Sequence, residues 1–299
     1  MKRSCSNMDQ YNTISMAEPR SRRIQTKQWW KILAYIFMVL LLITTITPFV
    51  SLIFASLKGS IDSVVTNAFT PPHTWEWGNY IEAWVTGRFG IYFFNSLLVA
   101  VVVTSLGIIL GLLVAYSMVI LKVPFNPLWL ILFTMGLILP EEAIIIPSYF
   151  NLHKLGLINT YWALILPQAA LSVAFAALFL RPSLLAIPGD LVDSARIDGC
   201  NKLSLVGHVI FPLVKPALSS LVVLFFLGTW NDFTIPLVLT FKDELRTLPL
   251  GLYLFQTAHR VNVTLQAAGS VIVALPVIVV YLLFQRTFIE GITEGAIKG

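Results

Sequence analysis

Long apolar stretches alternate with short polar segments along this chain, and they decide what class of protein it is. A bilayer core about 30 Å thick takes about 20 apolar helical residues to cross. Six stretches reach that length, at about residues 32–56, 91–121, 128–150, 160–180, 214–240 and 266–286. The second and the fourth contain no charged residue. The pattern predicts an all-α polytopic membrane protein with six transmembrane helices.

The composition agrees with this class. Hydrophobic residues make up 57% of the chain and charged residues 12%, and the mean hydropathy of +0.81 is too high for a soluble globular protein. The first stretch is longer than the core of a signal peptide and no small-residue cleavage site follows it, so a retained span is expected. Residues 1–27 are polar and are predicted to form a disordered cytoplasmic lead, followed by one transmembrane domain, 28–299.

The basic residues predict the orientation of the spans, because Lys and Arg stay on the cytoplasmic side of short loops. With the N-terminus inside, 14 of the 20 Lys and Arg residues fall on the cytoplasmic side and 6 outside. An even number of spans then places both termini in the cytoplasm. The net charge of +5 is explained by this asymmetry and by contact of basic residues with anionic lipid headgroups. It therefore does not favour nucleic-acid binding.

A charged segment, residues 187–216, interrupts the apolar pattern and predicts a helix-turn-helix on the cytoplasmic side. Asp190 stands at the expected N-cap, with Asp193 in the first turn, where a carboxylate favours the positive helix end. Gly199 is placed to adopt the left-handed conformation that ends a helix. A second helical piece then runs to Pro212.

This helix-turn-helix has two possible functions. It presents Leu191, Ala195 and Ile197 as candidate apolar contacts, and a stiff element of this kind would transmit the motion of a docked partner. Packing on the membrane surface would explain the same pattern, and the pattern alone leaves both open.

Ionisable residues inside the predicted spans are candidates for function, because a charge in the bilayer is costly unless it faces a cavity or a partner. Asp232 lies about 24 Å beyond Pro216 along its helix, and Glu141 lies at a similar depth. Asp232 either lines a translocation pathway or has a structural role, capping or cross-linking helices with Asn231 as a local partner. Glu141 and Glu142 point about 100° apart on a helix, so only one of them can face a narrow channel.

Small residues and prolines predict how the spans pack. Gly107 and Gly111 are spaced as Gly-x-x-x-Gly, which permits close approach of helices in lipid, here expected within the chain. Pro140, Pro147 and Pro276 predict kinks, which either shape a cavity or serve static packing.

Several motifs resemble those of one family, over residues 29–299. Asp193-Ser194-Ala195, Gly199 and Val209-Ile210-Phe211-Pro212 resemble the "EAA" loop of binding-protein-dependent ABC transporter permeases. The carbohydrate-type pattern of that family is resembled by Ser56-Leu57-Lys58, Phe94-Asn95-Ser96-Leu97, Gly156-Leu157-Ile158-Asn159-Thr160, Trp230-Asn231-Asp232-Phe233 and Leu248-Pro249-Leu250-Gly251-Leu252. The chain departs from the pattern at Ser194, where Ala is usual, and at the pair Glu141-Glu142.

The resemblance implies the smaller six-span permease of a bacterial sugar importer in the cell inner membrane, similar to the maltose type. It implies a second permease subunit as heterodimer partner, a pair of ATP-binding subunits and an extracytoplasmic sugar-binding protein. The ATPase would dock on residues 187–211, and the coupling residues carried over from the motif are Asp193, Ser194, Ala195, Asp198, Gly199 and Pro212. Glu141, Asn231 and Asp232 are the candidates for the translocation pathway.

Two rival functions compete with this interpretation. An ion-coupled secondary transporter would use Asp232 and Glu141 as proton or cation sites, but it leaves the helix-turn-helix unexplained. An intramembrane enzyme would need paired catalytic residues at membrane depth, and the sequence offers no convincing pair. The sequence has no Gly-x-x-x-x-Gly-Lys-[Ser/Thr] phosphate loop, so ATP would be bound by the partner and no cofactor is expected in this chain. Cys5 and Cys200 are expected to be free thiols, and no metal site is indicated.

We predict that residues 58–90 lie outside and both termini inside, because of the basic asymmetry. Single cysteines at Ser63 and Ser204, introduced in a cysteine-free background, should react with a membrane-impermeant thiol reagent from opposite faces. Labelling of both positions from the outside would show that this topology is wrong.

Overall fold

The computed structural model describes the backbone of residues 20–296 apart from 60, 61, 63, 64, 68 and 259–261, and in that part of the chain it contains helices and no strand. Side chains are described from residue 29 to residue 285, apart from the same gaps and residue 257. The fold class predicted from the sequence, all-α with several apolar helices, is confirmed.

Thirteen α-helices are present in the described residues. In chain order they are α1 (Arg20–Ser56), α2 (Gly78–Thr86), α3 (Phe89–Val119), α4 (Asn126–Ile138), α5 (Glu141–Lys154), α6 (Tyr161–Leu185), α7 (Gly189–Ile197), α8 (Lys202–Leu205), α9 (Phe211–Leu213), α10 (Lys215–Asn231), α11 (Thr234–Leu239), α12 (Leu248–Ala258) and α13 (Val263–Ala296). A π-helical turn (Val206–Ile210) joins α8 to α9, and a 3₁₀ turn (Asp243–Leu245) lies between α11 and α12.

The contacts divide the chain into two units, one ending at Leu52 and the other beginning at Ile53. The first unit consists, where it is described, of residues 20–52 of α1. Three threonine hydroxyls in α1 find their partners within the helix. Thr44, Thr45 and Thr47 each donate to the carbonyl four residues earlier, at 2.6–2.8 Å. This back-bonding lets threonine sit in an apolar helix.

The predicted disordered lead, residues 1–27, differs from the structure at its end. The helix α1 begins at Arg20, so residues 20–27 are helical, and residues 1–19 lie outside the described residues. The sequence of this stretch contains Arg, Gln and Lys, which are good helix formers, and it continues directly into the apolar span.

Four helices in the described part of the chain are long and apolar enough to cross a bilayer. They match the first, second, fourth and sixth predicted spans and comprise Trp29–Ser56, Phe89–Val119, Tyr161–Leu185 and Val263–Gln285. The number of spans becomes six only if two bent helix pairs each count as one. The chain is therefore a multi-pass membrane protein with four to six spans.

The predicted third span, 128–150, is not one continuous helix. The helices α4 and α5 meet at an angle of 100°, and the break lies at Leu139 and Pro140, both extended with ψ of 130° and 141°. Proline pushes the residue before it out of the helical region and cannot donate to the helical ladder. Pro140 thus breaks the helix rather than kinking it mildly.

The predicted fifth span, 214–240, is interrupted as well. The helix α10 ends at Asn231, Asp232 is extended with ψ of 122°, and α11 begins at Thr234. At its other end, α10 meets the Lys202–Leu213 segment at 83°. Both predicted spans that carry acidic residues are therefore broken at or beside those residues.

The helices α3 and α6 form the central pair of the second unit, and glycine brings them together. A Cβ atom placed on Gly111 would lie 2.3 Å from the Cβ of Ala176, and one on Gly107 would lie 2.7 Å from the Cβ of Ser172. Small residues on both helices thus allow the backbones to approach closely, which in lipid is a main source of helix association. The predicted packing of Gly107 and Gly111 within the chain is confirmed.

The connection between α11 and α12 is held onto α3 by side-chain hydrogen bonds. Asn95 donates to the carbonyls of Glu244 (2.7 Å) and Arg246 (2.9 Å), and the hydroxyl of Tyr161 donates to Asn95 Oδ1 at 2.6 Å. The Leu248 N–H donates to Ser96 Oγ at 2.7 Å. Asn95 and Ser96 belong to one of the family-like motifs, and in the structure their side chains bind this connection to α3.

An ionic cluster fixes the same connection from a second side. Asp243 is paired with Arg88 and with Arg246, and it accepts a hydrogen bond from the Tyr92 hydroxyl at 2.8 Å. One carboxylate therefore joins the start of α3 to the 3₁₀ turn.

We expect Gly111→Ala to lower the thermal stability of the purified protein, because the added methyl group would overlap Ala176. Overpacking of this kind costs about 1–3 kcal/mol. The matched control is Gly136→Ala on α4, where an added Cβ meets nothing within 4 Å and helix propensity favours alanine. Thermal unfolding in mild detergent should separate the two variants, and equal midpoints would show that the α3–α6 contact is looser than described.

Candidate functional site

A left-handed residue, Gly199, terminates α7 two residues after its last helical residue, as the sequence predicts. Gly199 has φ of +86°, its N–H donates to the Arg196 carbonyl at 3.1 Å, and the Cys200 N–H donates to the Ala195 carbonyl at 3.0 Å. These two bonds form a Schellman motif, which requires a left-handed residue at the glycine position. The turn that separates the two helical pieces thus depends on a residue that adopts positive φ, which glycine does without steric cost.

The start of α7 differs from the prediction. The helix begins at Gly189 after the extended Pro188, so Asp190 is not the N-cap but lies in the first turn. The predicted first-turn position of Asp193 is also wrong, since it lies further along the helix. Asp193 forms an exposed ion pair with Arg196 at 3.1 Å, and exposed pairs contribute about 0–1 kcal/mol. Pro188 lies at the N-cap of α7, where its lack of an N–H removes no hydrogen bond of the helix.

One face of this segment packs against the central helices. Val192 and Ala195 of α7 are buried together with Ile210, in a cluster that also contains Tyr116 of α3 and Leu184 of α6. Ala195, one of the three candidate apolar contacts, therefore lies on the buried face and packs within the chain.

Three large apolar side chains of the segment are exposed, next to exposed charged ones such as Asp193 and Arg196. Leu191 is 43% and Ile197 86% exposed, and Leu203, which the sequence pattern did not single out for contact, is 76% exposed. Ser194 Oγ donates to the Asp190 carbonyl at 2.8 Å, and the Asp198 N–H donates to the Ser194 carbonyl at 2.9 Å. Ser194 and Asp198 thus support the helix end that carries Ile197.

The second helical piece has a cap that was not predicted from the sequence. Asn201 Oδ1 accepts a hydrogen bond from the Ser204 N–H at 2.8 Å, the geometry of an N-cap. An asparagine two residues after the glycine stop was the available signal. Beyond this cap, the π-helical turn and α9, which contains Pro212, lead into α10. The segment is therefore a covalent extension of α10.

Asp232 lies at the far end of α10 and stabilises the break. Its Oδ1 accepts hydrogen bonds from the N–H groups of Thr234 (3.0 Å) and Ile235 (3.2 Å), so it caps α11. Its Oδ2 is buried and finds no donor among the described residues. Asn231 donates instead to the Leu227 carbonyl at 2.8 Å, so the predicted local partnership of Asn231 and Asp232 is wrong.

A cavity of about 420 Å³ lies beside this break. Glu141, Asn231 and Asp232 all line it, so the structure brings together the three residues predicted for a pathway, whereas Glu142 does not line it. The other polar lining residues are Gln168, Ser172, Thr229 and Thr234. Gln168 was not predicted from the sequence. The available signal was a polar amide side chain in a predicted span that contains no charged residue.

A second cavity has a different chemistry. It measures about 700 Å³ and is lined by Val173 of α6 and by residues of α3, α4 and their connection, among them Leu113, Trp129 and Phe133. Ser117 is its sole hydroxyl-bearing lining residue, and that hydroxyl donates to the Leu113 carbonyl. Such a cavity suits an apolar occupant, so the polar cavity at Asp232 is the better candidate for a hydrophilic ligand.

Comparison with known families gives one clear match. Residues 107–288 match the family described as binding-protein-dependent transport system inner membrane component. The matched range includes the α7–α9 segment and all the residues that line the polar cavity.

Related proteins are similar over most of their length. The chain is 31% identical to the probable ABC transporter permease protein YurM of Bacillus subtilis (strain 168), over 89% of this chain and 88% of that protein. It is 32% identical to the arabinooligosaccharides transport system permease protein AraQ of Halalkalibacterium halodurans, over 84% and 91%. Another relative is the sulfoquinovosyl glycerol transport system permease protein SmoH of Agrobacterium fabrum (strain C58), with 30% identity over 90% and 94%.

A solved structure shares the fold. It is a bacterial ABC transporter involved in the import of the acidic polysaccharide alginate, and one of its chains superposes with a TM-score of 0.75 at 22% identity. The match covers 91% of this chain and 99% of that chain. At this level of identity the likeness establishes the arrangement of helices.

We expect Gly199→Val to leave the protein inserted in the membrane but to weaken attachment of an ATPase subunit. A β-branched residue resists the left-handed conformation, so the exposed face would be redirected. Gly199→Asn should retain attachment, since asparagine tolerates this conformation, and Asp193→Ala should be mild. Retention of the ATPase on the affinity-tagged chain measures the effect, and normal retention with normal coupling in Gly199→Val would remove this turn from the mechanism.

Proposed function

Because this chain belongs to the family of binding-protein-dependent transport system inner membrane components, we propose that it moves a sugar through the polar cavity at Asp232. The chain is the permease subunit of an ABC importer, a membrane transport protein rather than an enzyme. Relatives are named for arabinooligosaccharides, for diacetylchitobiose and for trehalose and maltose. The observation that carries the proposal is a cavity with seven polar lining residues inside a bundle of this family.

The lining of the cavity fits a hydroxyl-rich ligand. Glu141 and Asp232 are acceptors for sugar hydroxyl groups, while Gln168, Thr229 and Asn231 carry donors as well. Hydrogen bonds to a charged acceptor are stronger than neutral ones. An oligosaccharide would exchange its bonds to water for bonds to these groups as it passes.

The α7–α9 segment is the proposed docking site for the ATPase. Its exposed apolar side chains, Leu191, Ile197 and Leu203, form the contact, and its buried side chains hold it to α3 and α6. From this segment, α10 runs for 17 residues, or about 25 Å, to the break at Asp232. A rigid-body movement of the segment would therefore reach the cavity through one helix.

The remaining partners follow from the family. A pair of ATPase subunits would bind ATP, a second permease subunit would complete the pathway, and an extracytoplasmic sugar-binding protein would deliver the ligand. A structural neighbour was solved as an alginate ABC transporter in complex with a pentasaccharide-bound periplasmic protein. We place the protein in the inner membrane of a bacterium with both termini in the cytoplasm, in contact with lipid.

The family match does not favour the rival function, an ion-coupled secondary transporter. Purification of the tagged chain in mild detergent, followed by identification of bound subunits, tests the choice. An ATPase and a second permease should co-purify, and sugar uptake into proteoliposomes should require ATP. Uptake driven by an ion gradient without any ATPase would reverse the choice.

We expect Asp232→Ala to reduce transport more than it reduces the yield of the assembled importer. The alanine loses the negative charge at the cavity and also the cap on α11, whereas Asp232→Asn keeps an oxygen that accepts from the Thr234 and Ile235 N–H groups. Uptake and subunit yield should be measured on the same preparations. If yield falls in proportion to uptake in Asp232→Ala and both are normal in Asp232→Asn, the carboxyl group is only a helix cap.

A further inference from the structure

We propose that the polar cavity selects its cargo by charge, so that this importer takes neutral or cationic sugars and rejects anionic ones. The proposal rests on the function proposed above, which routes the sugar through this cavity. Family membership leaves the sign of the cargo open, because a relative is named for sulfoquinovosyl glycerol, which is anionic, and others for uncharged sugars. The residues that line the cavity decide it.

The cavity lining carries two carboxylates and no basic side chain among the described residues. Glu141 and Asp232 are its ionisable groups, and the rest of the lining consists of neutral polar and apolar residues. In this open cleft between apolar helices, two carboxylates set a negative potential, since low-dielectric walls focus the field.

No cation of the described residues neutralises these carboxylates by pairing. The ion pairs present there involve Asp62, Asp193 and Asp243, and Glu141 and Asp232 take part in none of them. Arg88 and Arg246, at the α11–α12 connection, are both engaged by Asp243. Asp232 Oδ2 has no hydrogen-bond donor at all within the described part of the chain.

Helix dipoles offset only part of this charge. Glu141 lies in the first turn of α5 and Asp232 caps α11, so each faces a positive helix end. A helix end is equivalent to about half a unit charge, and α11 has just six residues. The cavity thus retains a net negative charge of about one unit or more.

The consequence for a sugar follows directly. A neutral sugar donates its hydroxyl hydrogens to the two carboxylates, whereas a uronate, sulfonate or phosphate group meets like charge and lacks a basic partner. Like-charge juxtaposition is a common device for rejecting wrong ligands. Glu141 and Asp232 are therefore specificity-determining residues as well as lining residues.

Charged thiol reagents test the charge of the cavity whichever sugar the importer carries. Thr229, which lines the cavity, is replaced by cysteine in a chain carrying Cys5→Ser and Cys200→Ser, and the complete importer is reconstituted in proteoliposomes. Cationic and anionic methanethiosulfonates of similar size are applied, and each rate is divided by the rate with a small free thiol in the same buffer.

The expected result is a normalised rate for the cationic reagent about tenfold or more above that for the anionic one. The ratio should shrink at high ionic strength, and the double variant Glu141→Gln with Asp232→Asn should bring it close to one. Glu142→Gln is the matched control: it removes a neighbouring carboxylate that does not line the cavity, and the ratio should persist.

Two outcomes would overturn the inference, and they differ from failure of the proposed function. A ratio near one in the unmodified carboxylate background, or ATP-driven uptake of a trigalacturonate as fast as that of a neutral trisaccharide, removes charge selection alone. If neither reagent reaches the cysteine in any nucleotide state, or if its modification leaves sugar uptake unchanged, the cavity is not the pathway and both proposals fall.

Discussion

Close contact between α3 and α6 is the constraint on which the rest of the second unit depends. Lipid is as apolar as the side chains, so helices in a bilayer associate through tight packing rather than through the hydrophobic effect. Gly107 and Gly111 supply that packing against Ser172 and Ala176. At one end of the pair, the cluster around Tyr116 carries the α7–α9 segment, and Ser172 itself lines the polar cavity.

The polar cavity exists because two helices stop inside the predicted spans. Interrupted backbone is tolerated at membrane depth only where its N–H and C=O groups find partners or face a cavity. Asp232 meets this requirement for α11 by accepting from two N–H groups. At the start of α5, Pro140 has no N–H to satisfy, and its carbonyl accepts from the Ala143 N–H at 3.0 Å. The same two breaks place Glu141 and Asp232 at the cavity. Asp232 therefore both caps α11 and lines the cavity.

Residues of the family-like motifs have structural roles that the sequence alone does not reveal. Asn95 and Ser96 hold the connection that follows α11, and Asn159 accepts from the N–H groups of Phe241 and Lys242 in that connection. Lys58, 1% exposed, donates to Thr66 and to the Asn67 carbonyl. Asn95 and Ser96 thus secure this connection onto α3, whereas Asn159 and Lys58 join loop segments to one another.

The sequence by itself determined the helical class, four apolar spans, close packing at Gly107 and Gly111 within the chain, and the left-handed turn at Gly199. These features rest on local composition or on the conformational freedom of one residue, and both can be read without knowing the neighbours. The tertiary structure alone decided that Ala195 faces inward, that two spans are broken, and that Glu141 meets Asp232. Spans that are apolar on every side carry no periodicity to show which face is buried, and contacts between distant segments depend on how the helices pack.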